Sequence, residues 1–263
     1  MSYNLGMSDI DPRILRHRMK ESEALLERED SGRRLKPLWL DRLSVHEEIL
    51  SRGDIRRSDT RRYDISHGDS GKSKADQKDV TSSTSIGEVH YGFSHSPFGP
   101  CRIEVGPKGI LALDFLDPLG NPDPATSSAL SRSRWPNAAC VEDAPLVERL
   151  VADIFSRDSR ATIAIHIRGS AFQVKIWRSL LRIPESSIVS YTFLAQMASC
   201  PGASRAAGSA LATNPIAYLI PCHRVLRADG RLGGFKWGLE RKAVMIAYEA
   251  ALHDTAFTTA EAF

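Results

Sequence analysis

The stretch Asn214-Pro215-Ile216-Ala217-Tyr218-Leu219-Ile220-Pro221-Cys222-His223-Arg224-Val225 places a cysteine directly before a histidine and after an apolar run. Apolar surroundings disfavour a thiolate, so a cysteine in this position needs a nearby group that helps it to ionise. His223 and Arg224 are the nearest candidates in the sequence. Because free cysteine is among the most buried residue types, Cys222 is either an inert core residue or a nucleophile.

A histidine can take the proton of a thiol, whose ordinary pKa is about 8.5, directly or through a water molecule. A carboxylate behind that histidine would orient the ring and stabilise its charged form. Glu249 is the candidate carboxylate, because it lies among apolar neighbours in the last predicted helix. Asn214 could fix the turn that precedes the cysteine through its side-chain amide.

The length and composition of the 263-residue chain limit the classes of protein to which it can belong. The length suggests one large domain or two domains of medium size. A net charge of +3 permits a nucleic-acid partner without requiring one. No apolar run reaches the roughly 20 residues of a membrane span, and the N-terminus has no secretory h-region. We therefore expect a cytoplasmic protein with no membrane partner.

The cysteines are widely spaced and contain no C-x-x-C pair: Cys101, Cys140, Cys200 and Cys222. This spacing argues against a disulfide framework and excludes a zinc site built on C-x-x-C pairs. Reduced thiols in a reducing compartment are the simpler interpretation. We predict no metal and no other cofactor, and we expect Cys101, Cys140 and Cys200 to be structural.

Residues 1–87 are predicted to form an N-terminal extension. Residues 12–29 have a helical pattern of apolar positions, and a second helical piece is predicted near 38–50. Neither apolar stripe is wide enough to build a core alone. Residues 52–87 are polar and low in complexity, which predicts a disordered linker.

Residues 88–168 predict an α/β domain. Three short β-rich segments separated by turn signals predict a small antiparallel meander, at 89–93, 101–105 and 110–115. Residues 117–139 are rich in Pro, Ser and Asn and predict a loop. A helix is predicted at 144–155 and a further strand at 162–167.

Residues 169–252 predict a mainly helical domain, followed by a tail at 253–263. Short helices at 172–181, 191–198 and 203–213 have a tight glycine turn between the second and third, which suggests a helix-turn-helix. Small residues on the third helix suit either close packing or close approach to a partner, but Arg205 is harder to explain by packing. A glycine-rich loop at 228–234 precedes a final helix at 239–252, in which Lys242 is either a DNA contact or a solvated residue.

The segment Ile220–Val225 resembles the active-site motif of the O6-alkylguanine-DNA alkyltransferases, also called methylated-DNA–protein-cysteine methyltransferases. The resemblance covers about 88–251, and further matching motifs are Ser190-Tyr191, Arg205-Ala206-Ala207-Gly208, Asn214-Pro215 and Gly233-Gly234-Phe235. Upstream, Tyr91-Gly92-Phe93 and Ser96-Pro97-Phe98-Gly99 resemble the start of the catalytic portion of Ada-type members. The resemblance implies a ribonuclease H-like α/β domain followed by a winged-helix-like helix-turn-helix domain that carries the catalytic residues.

The resemblance implies single-turnover repair of O6-alkylguanine in double-stranded DNA. A monomer in the bacterial cytoplasm or nucleoid would bind the minor groove and flip the alkylated guanine out of the stack. Cys222 would then accept the alkyl group irreversibly, with His223 as a base acting through water. Glu249 would complete the relay, and Asn214 would brace the turn of the active site.

The resemblance also implies a set of substrate- and DNA-binding positions. Tyr191 would rotate the phosphate and donate to the leaving guanine, while Arg205 would fill the gap left in the base stack. The full set is Tyr191, Arg205, Ala206, Gly208, Arg224, Val225, Gly234, Phe235 and Lys236. Trp237, where many other members have a small residue, would narrow the guanine pocket or reduce acceptance of bulky alkyl groups.

A second class of function is a DNA-binding protein without enzymatic activity, either a lesion sensor or an Ada-like methylation-responsive transcription regulator. Alkyltransferase-like sensors lack the acceptor cysteine, which this chain has. A regulator would depend on residues 1–85, which contain no cysteine for the zinc domain of Ada-type proteins and no convincing AraC-like match. We therefore favour the alkyltransferase.

Overall fold

The computed structural model describes residues 11–29, 42–51, 86–116 and 124–260, with side chains described except at 28–29, 124–128 and 253–260. Most of the predicted linker, 52–85, lies outside the described residues. Within them, the protein has an α/β fold with one mixed sheet and helices on the surrounding faces. None of the described helices is both long enough and apolar enough to cross a membrane.

The main sheet has six strands in the order β1-β6-β4-β3-β2-β5. The strands are β1 Leu43–Ile49, β2 Glu88–Ser96, β3 Gly99–Gly106, β4 Gly109–Phe115, β5 Ala139–Glu142 and β6 Ile163–Gly169. The predicted antiparallel meander is confirmed as β2–β4. The sheet as a whole is mixed, because β1 and β4 pair with β6 in parallel and β5 pairs with β2 in parallel.

Seven α-helices and a second, two-stranded sheet are present in the described ranges. The helices are α1 Pro12–Glu29, α2 Pro124–Arg134, α3 Ala144–Phe155, α4 Ala171–Leu181, α5 Tyr191–Met197, α6 Ser204–Ala212 and α7 Leu239–Ala260. The small sheet pairs β7 Val189–Ser190 with β8 Val225–Leu226 in parallel. The helices predicted at 12–29, 144–155, 172–181, 191–198 and 203–213 are confirmed, and α7 continues past its predicted end at 252.

Two predictions of secondary structure were wrong. The segment predicted as a helix near 38–50 contains strand β1, because β6 offers a complete parallel partner from Leu43↔Ile163 to Ile49↔Gly169. The segment predicted as a loop at 117–139 contains helix α2, whose last residue Arg134 binds carboxylates of β3 and β4. In both cases a tertiary partner overrides the weak local preference.

Side-chain caps fix the starts of helices α4 and α5. Ser170 and Gln173 form a capping box at α4, and the Ser190 hydroxyl accepts from Phe193 N at α5. Such caps satisfy backbone N–H groups that have no partner inside the helix. The segment before Cys222 is tied to the main sheet, since Leu113 N donates to Pro215 O and Ala217 N donates to Leu113 O. One hydrophobic core joins the sheet to α3–α6 and to this segment.

Candidate active site

Cys222 begins a single 3-10 turn, Cys222–Arg224, and is only 3% exposed. The Asn214 amide donates from Nδ2 to Cys222 Sγ at 3.1 Å and to Ile220 O at 2.8 Å. Its Oδ1 accepts from Ile216 N at 3.0 Å. Asn214 is itself completely buried, so one side chain fixes both the backbone before the cysteine and the sulfur atom.

Burial raises the pKa of the Cys222 thiol, and the Asn214 amide and the Lys242 ammonium oppose this effect. The balance favours the protonated thiol in the free protein. Burial also raises the pKa of Cys101, to about 11. The two buried thiols differ in their surroundings: Cys101 Sγ donates to the Ser94 carbonyl, whereas Cys222 Sγ accepts a hydrogen bond that stabilises a thiolate.

His223 lies fully buried beside Glu249, with Nε2 and Oε1 separated by 2.7 Å. Burial acts to raise the pKa of Glu249, but Arg224 and His223 hold it well below the usual range. An ionised carboxylate can only accept, so His223 carries its proton on Nε2. Burial lowers the pKa of His223, and the neutral ring therefore presents an unprotonated Nδ1.

His223 Nδ1 is buried and has no hydrogen-bond partner among the described residues. Buried polar atoms in proteins nearly always have a hydrogen-bond partner, so an unpaired acceptor at this position is unusual and points to a functional role. The ring plane is fixed by Tyr218, which stacks on it at 5.7 Å between centroids and 5° between planes. Tyr218 has φ +65°, a left-handed conformation that is costly for a non-glycine residue.

Arg224 is 2% exposed and faces inward. Its guanidinium donates to both Glu249 oxygens, at 2.8–3.2 Å, and to Ile183 O at 2.6 Å. Glu249 also accepts from Ser186 N at 3.1 Å. The prediction that Arg224 binds DNA or substrate does not fit this burial, because its guanidinium is directed at Glu249. Val225 is likewise completely buried, in strand β8.

Lys242 is fully buried, contrary to the prediction that it contacts DNA or is solvated. Its Nζ donates to Val225 O at 2.7 Å and to Leu232 O, which ties β8 to the glycine-rich loop. Burial lowers the pKa of Lys242 to about 8, although the nearby Cys222 opposes this effect. This role could not be predicted from the local pattern, because a lysine in an amphipathic helix usually lies at its surface.

The depressed pKa of Lys242 predicts a specific dependence of stability on pH. Between about pH 8 and 10.4 the unfolded chain holds more protons at this position than the folded protein, so its contribution to stability rises with pH. We expect the free energy of unfolding of the wild type minus that of Lys242→Met to grow by about 2–3 kcal/mol from pH 7 to pH 10 in urea titrations. The exposed Lys175→Met is the matched control, and a constant difference for Lys242→Met would contradict the assignment.

The loop after β8 carries an aromatic wall. Phe235 and Trp237 meet edge to face at 5.3 Å, and Trp237 contacts Phe115 of β4 at 6.2 Å. Lys236 Nζ and Trp237 Nε1 both donate to Asp114 Oδ1, at 2.9 and 3.2 Å. Burial acts to raise the pKa of Asp114, but Arg134 and Lys236 hold it well below the usual range, so the carboxylate anchors this loop to the sheet.

Tyr191, the first residue of α5, lies between α6 and the glycine-rich loop. A Cβ on Gly208 would sit 3.7 Å from its ring, and a Cβ on Gly233 would sit 3.1 Å from its hydroxyl. Burial raises the pKa of Tyr191, and the negative charge of a Cys222 thiolate adds to the effect. On α6, Arg205 and Ala206 are exposed and Gly208 is half-buried.

The structure therefore brings Cys222, Asn214, His223 and Glu249 together, with Tyr191, Phe235 and Lys236 around them. Arg205, Ala206 and Gly234 lie at the surface beyond this centre. The residues that sequence reasoning missed are Tyr218, Lys242, Ser186 and Asp114. Of these four, only Tyr218 could have been suggested by the sequence, because it lies in the apolar run before the cysteine. The described residues contain no group of three or more His, Cys, Asp or Glu side chains able to hold a metal ion.

Comparisons with known proteins relate the chain to a family. Residues 171–251 match the model of the 6-O-methylguanine DNA methyltransferase DNA binding domain. The chain is 37% identical over 169 residues to the bifunctional transcriptional activator/DNA repair enzyme Ada of Escherichia coli, covering 62% of this chain and 46% of Ada. It thus spans less than half the length of that relative. A crystal structure of Mycobacterium tuberculosis OGT in complex with DNA is similar at a TM-score of 0.48 and 29% identity, over 62% of this chain and 93% of that one.

A shorter relative is matched along nearly all of its length. The methylated-DNA–protein-cysteine methyltransferase of Mycobacterium bovis is 33% identical over 162 residues, which cover 61% of this chain and 92% of that protein. The aligned length reaches well beyond the matched DNA-binding segment, so the sheet is included in the likeness. The chain belongs to the family of methylated-DNA–protein-cysteine methyltransferases.

Proposed function

We propose that this protein repairs DNA by transferring the alkyl group of O6-alkylguanine to Cys222, once per molecule. The observation that carries the proposal is the buried constellation in which Asn214 donates to Cys222 Sγ while His223, the next residue, is held by Glu249. A buried cysteine with no chemical role has no need of an amide donor at its sulfur or of a charged pair beside it.

The proton of Cys222 is removed through His223. Its unprotonated Nδ1 has no protein partner in the described ranges, so a water molecule bridging Nδ1 and Sγ would satisfy it and carry the proton. Glu249 stabilises the imidazolium that results. The Asn214 hydrogen bond and the charge of Lys242 favour the thiolate, which makes each of them a contributor to activation.

The transfer itself is a single displacement. The thiolate sulfur attacks the alkyl carbon, the new S–C bond forms as the C–O6 bond breaks, and the bonding electron pair passes to the guanine. Tyr191 donates a proton to the departing base and recovers one from solvent. Because the thioether has no route back to a thiol, the protein acts once, and no cofactor takes part.

The guanine is reached by base flipping from duplex DNA. A base inside a duplex is inaccessible, and extruding it costs a few kcal/mol, which an intercalating side chain offsets in part. Exposed Arg205 on α6 fills the gap, with Ala206 and Gly208 allowing close approach in the minor groove. Gly234, Phe235 and Lys236 line the pocket, and Trp237 narrows it. On this proposal 88–168 is a ribonuclease H-like domain, 169–252 a winged-helix-like domain, and the protein acts as a monomer.

Incubation with duplex DNA that carries O6-methylguanine with a labelled methyl group tests the proposal. We expect one label per protein molecule on Cys222, none with Cys222→Ala, and normal labelling of the control Cys140→Ala. If the wild type accepts no label but still binds the lesion, the alternative of a non-enzymatic lesion sensor replaces the proposal. Label on Cys222→Ala would place the acceptor elsewhere.

Replacing Arg205 with alanine separates base flipping from chemistry. We expect repair of O6-methylguanine in duplex DNA to slow by about tenfold. This corresponds to roughly 1–2 kcal/mol of the free energy with which Arg205 would offset the cost of unstacking the base. Reaction with free O6-benzylguanine should be unchanged, because the free base needs no flipping. Rates from quenched single-turnover assays provide the measurement, with exposed Arg149→Ala as the control. Equal losses on both substrates would contradict the intercalating role.

A further inference from the structure

Helix α1 docks on the predicted DNA-binding part of the molecule. Leu15 and Met19 are buried against Ile188, Leu226 and Ile246, which come from the β7 segment, β8 and α7. Two polar contacts complete the docking and involve side chains of α1. Ser22 Oγ accepts from Ile188 N at 3.2 Å, and Glu23 Oε1 accepts from Ser190 N at 2.7 Å. Because Ser190 caps α5, α1 is fastened at the start of the helix-turn-helix.

The first turn of α1 also contacts the turn after β8. A Cβ on Gly230 would lie 2.2 Å from Pro12 O and 3.0 Å from Arg16 Cβ, so only glycine permits this approach. Gly230 also has φ +85°, which favours glycine for a separate reason. The contact brings the start of α1 against a turn that bears exposed Arg227 and Arg231.

Three basic residues form a stripe along the first two turns of α1. Arg13, Arg16 and Lys20 are exposed and follow the spacing i, i+3, i+7, so they share one side of the helix. The spacing covers about 10 Å of helix axis, which matches roughly three base pairs of duplex DNA. The acidic residues of α1 begin at Glu21, beyond this stripe.

A series of close approaches at glycine positions leads from the stripe to α6. Arg16 meets the turn at Gly230, and Arg227 of that turn lies beside Gly233, where a Cβ would be 3.3 Å from the Arg227 side chain. The Tyr191 ring would lie 3.2 Å from a Cβ on the same glycine and, on its other edge, 3.7 Å from a Cβ on Gly208 of α6. Arg227 and Arg231 lie 3.6 and 3.8 Å from Asp229, and their exposed guanidinium groups, like the stripe, are close enough to α6 that we expect them to meet phosphates of the same duplex.

We propose that Arg13, Arg16 and Lys20 of α1, together with Arg227 and Arg231, form a phosphate-binding surface that extends the DNA contact beyond α6. The proposal rests on the proposed function, because it takes duplex DNA as the partner. The surface reads no sequence; it adds affinity and register through the DNA backbone. Because Ser22, Glu23 and Gly230 hold α1 against the rest of the protein, the basic stripe has a fixed position on the surface.

Salt dependence of DNA binding tests the surface directly. Each phosphate contact contributes about 0.9 to the slope of log K against log salt, so we expect R13Q/R16Q/K20Q to lower that slope by about 2–3. The advantage of the wild type over this variant should then shrink by about 40-fold between 50 and 200 mM salt. Fluorescence anisotropy with a lesion-free duplex of 20 base pairs measures both quantities. Reaction with free O6-benzylguanine should be unchanged.

Charge-matched and site-matched controls decide the interpretation. K108Q/R132Q/R149Q removes three exposed positive charges from the β3–β4 turn and from α2 and α3, and should leave the slope near that of the wild type. An unchanged slope for R13Q/R16Q/K20Q, or an equal fall for both triple variants, overturns the proposal. Because transfer of label to Cys222 by the wild type is measured separately, a failure of the alkyltransferase function is distinguishable from a failure of this surface.

Discussion

Glu249→Gln is expected to lose alkyl transfer by about 10²–10⁴-fold and to be less stable by about 3–5 kcal/mol. Glutamine keeps the shape of the side chain but removes the anion that lies between His223 and Arg224. Arg224 would then be a buried cation without compensation, which accounts for the loss of stability. His223 would lose the partner that fixes its Nε2 proton, so Nδ1 would no longer be a reliable acceptor.

Stability and rate must be measured separately for this variant. Urea unfolding gives the free energy, and single-turnover labelling at 10 °C, scaled to the folded fraction, gives the rate. Glu240→Gln is the matched control, because the same change occurs at the exposed start of the same helix. A folded Glu249→Gln protein with the wild-type rate would show that Glu249 serves the fold alone.

Asn214→Asp is expected to have the second largest effect. The new carboxylate would lie where the amide donates 3.1 Å from Cys222 Sγ, so a stabilising donor becomes a like charge facing the thiolate. We expect the pKa of the thiol to rise and the transfer rate at pH 7 to fall by about 100-fold, because a smaller fraction of the thiol is ionised.

Asn214→Ala separates the charge effect from the structural one. Alanine removes the acceptor of Ile216 N and one donor to Ile220 O, and a buried N–H left unpaired costs about 1–3 kcal/mol. The rate of alkylation by iodoacetamide as a function of pH reports the thiol pKa, and exposed Asn137→Ala is the control. If Asn214→Asp and Asn214→Ala both titrate like the wild type, Asn214 has no part in activating the sulfur.

Local sequence patterns predicted the helices and strands that are formed and bounded by residues close in the chain. Turn signals at 96–99 and 106–109 bounded β2–β4, and the first helix after residue 170 had a clear apolar face. The β1 segment was misjudged, because its parallel partner β6 follows more than 100 residues later. Helix α1 was predicted correctly, but its narrow apolar stripe gave no sign of the surface that it covers.

The central residues of the candidate site could be predicted from the sequence, but the buried side chains that hold them in place could not. Cys222, His223 and Asn214 lie within nine residues of one another, so a local motif could reveal them. The direction of Arg224 depends on Glu249 and Ile183, which come from distant segments. Lys242 is buried because two backbone carbonyls receive its ammonium, and no pattern of apolar residues encodes that arrangement.

The hydrogen bonds between Leu113 and the 215–217 segment have a consequence for the order of folding. The β2–β4 hairpins involve near neighbours in the chain and can form early, whereas pairing of β1 with β6 must close a long loop. The cysteine turn is anchored to β4 only after the chain beyond residue 213 has arrived. In refolding, we therefore expect helical and strand signals to return before the capacity to react with O6-benzylguanine, so that the nucleophile is the last part of the molecule to mature.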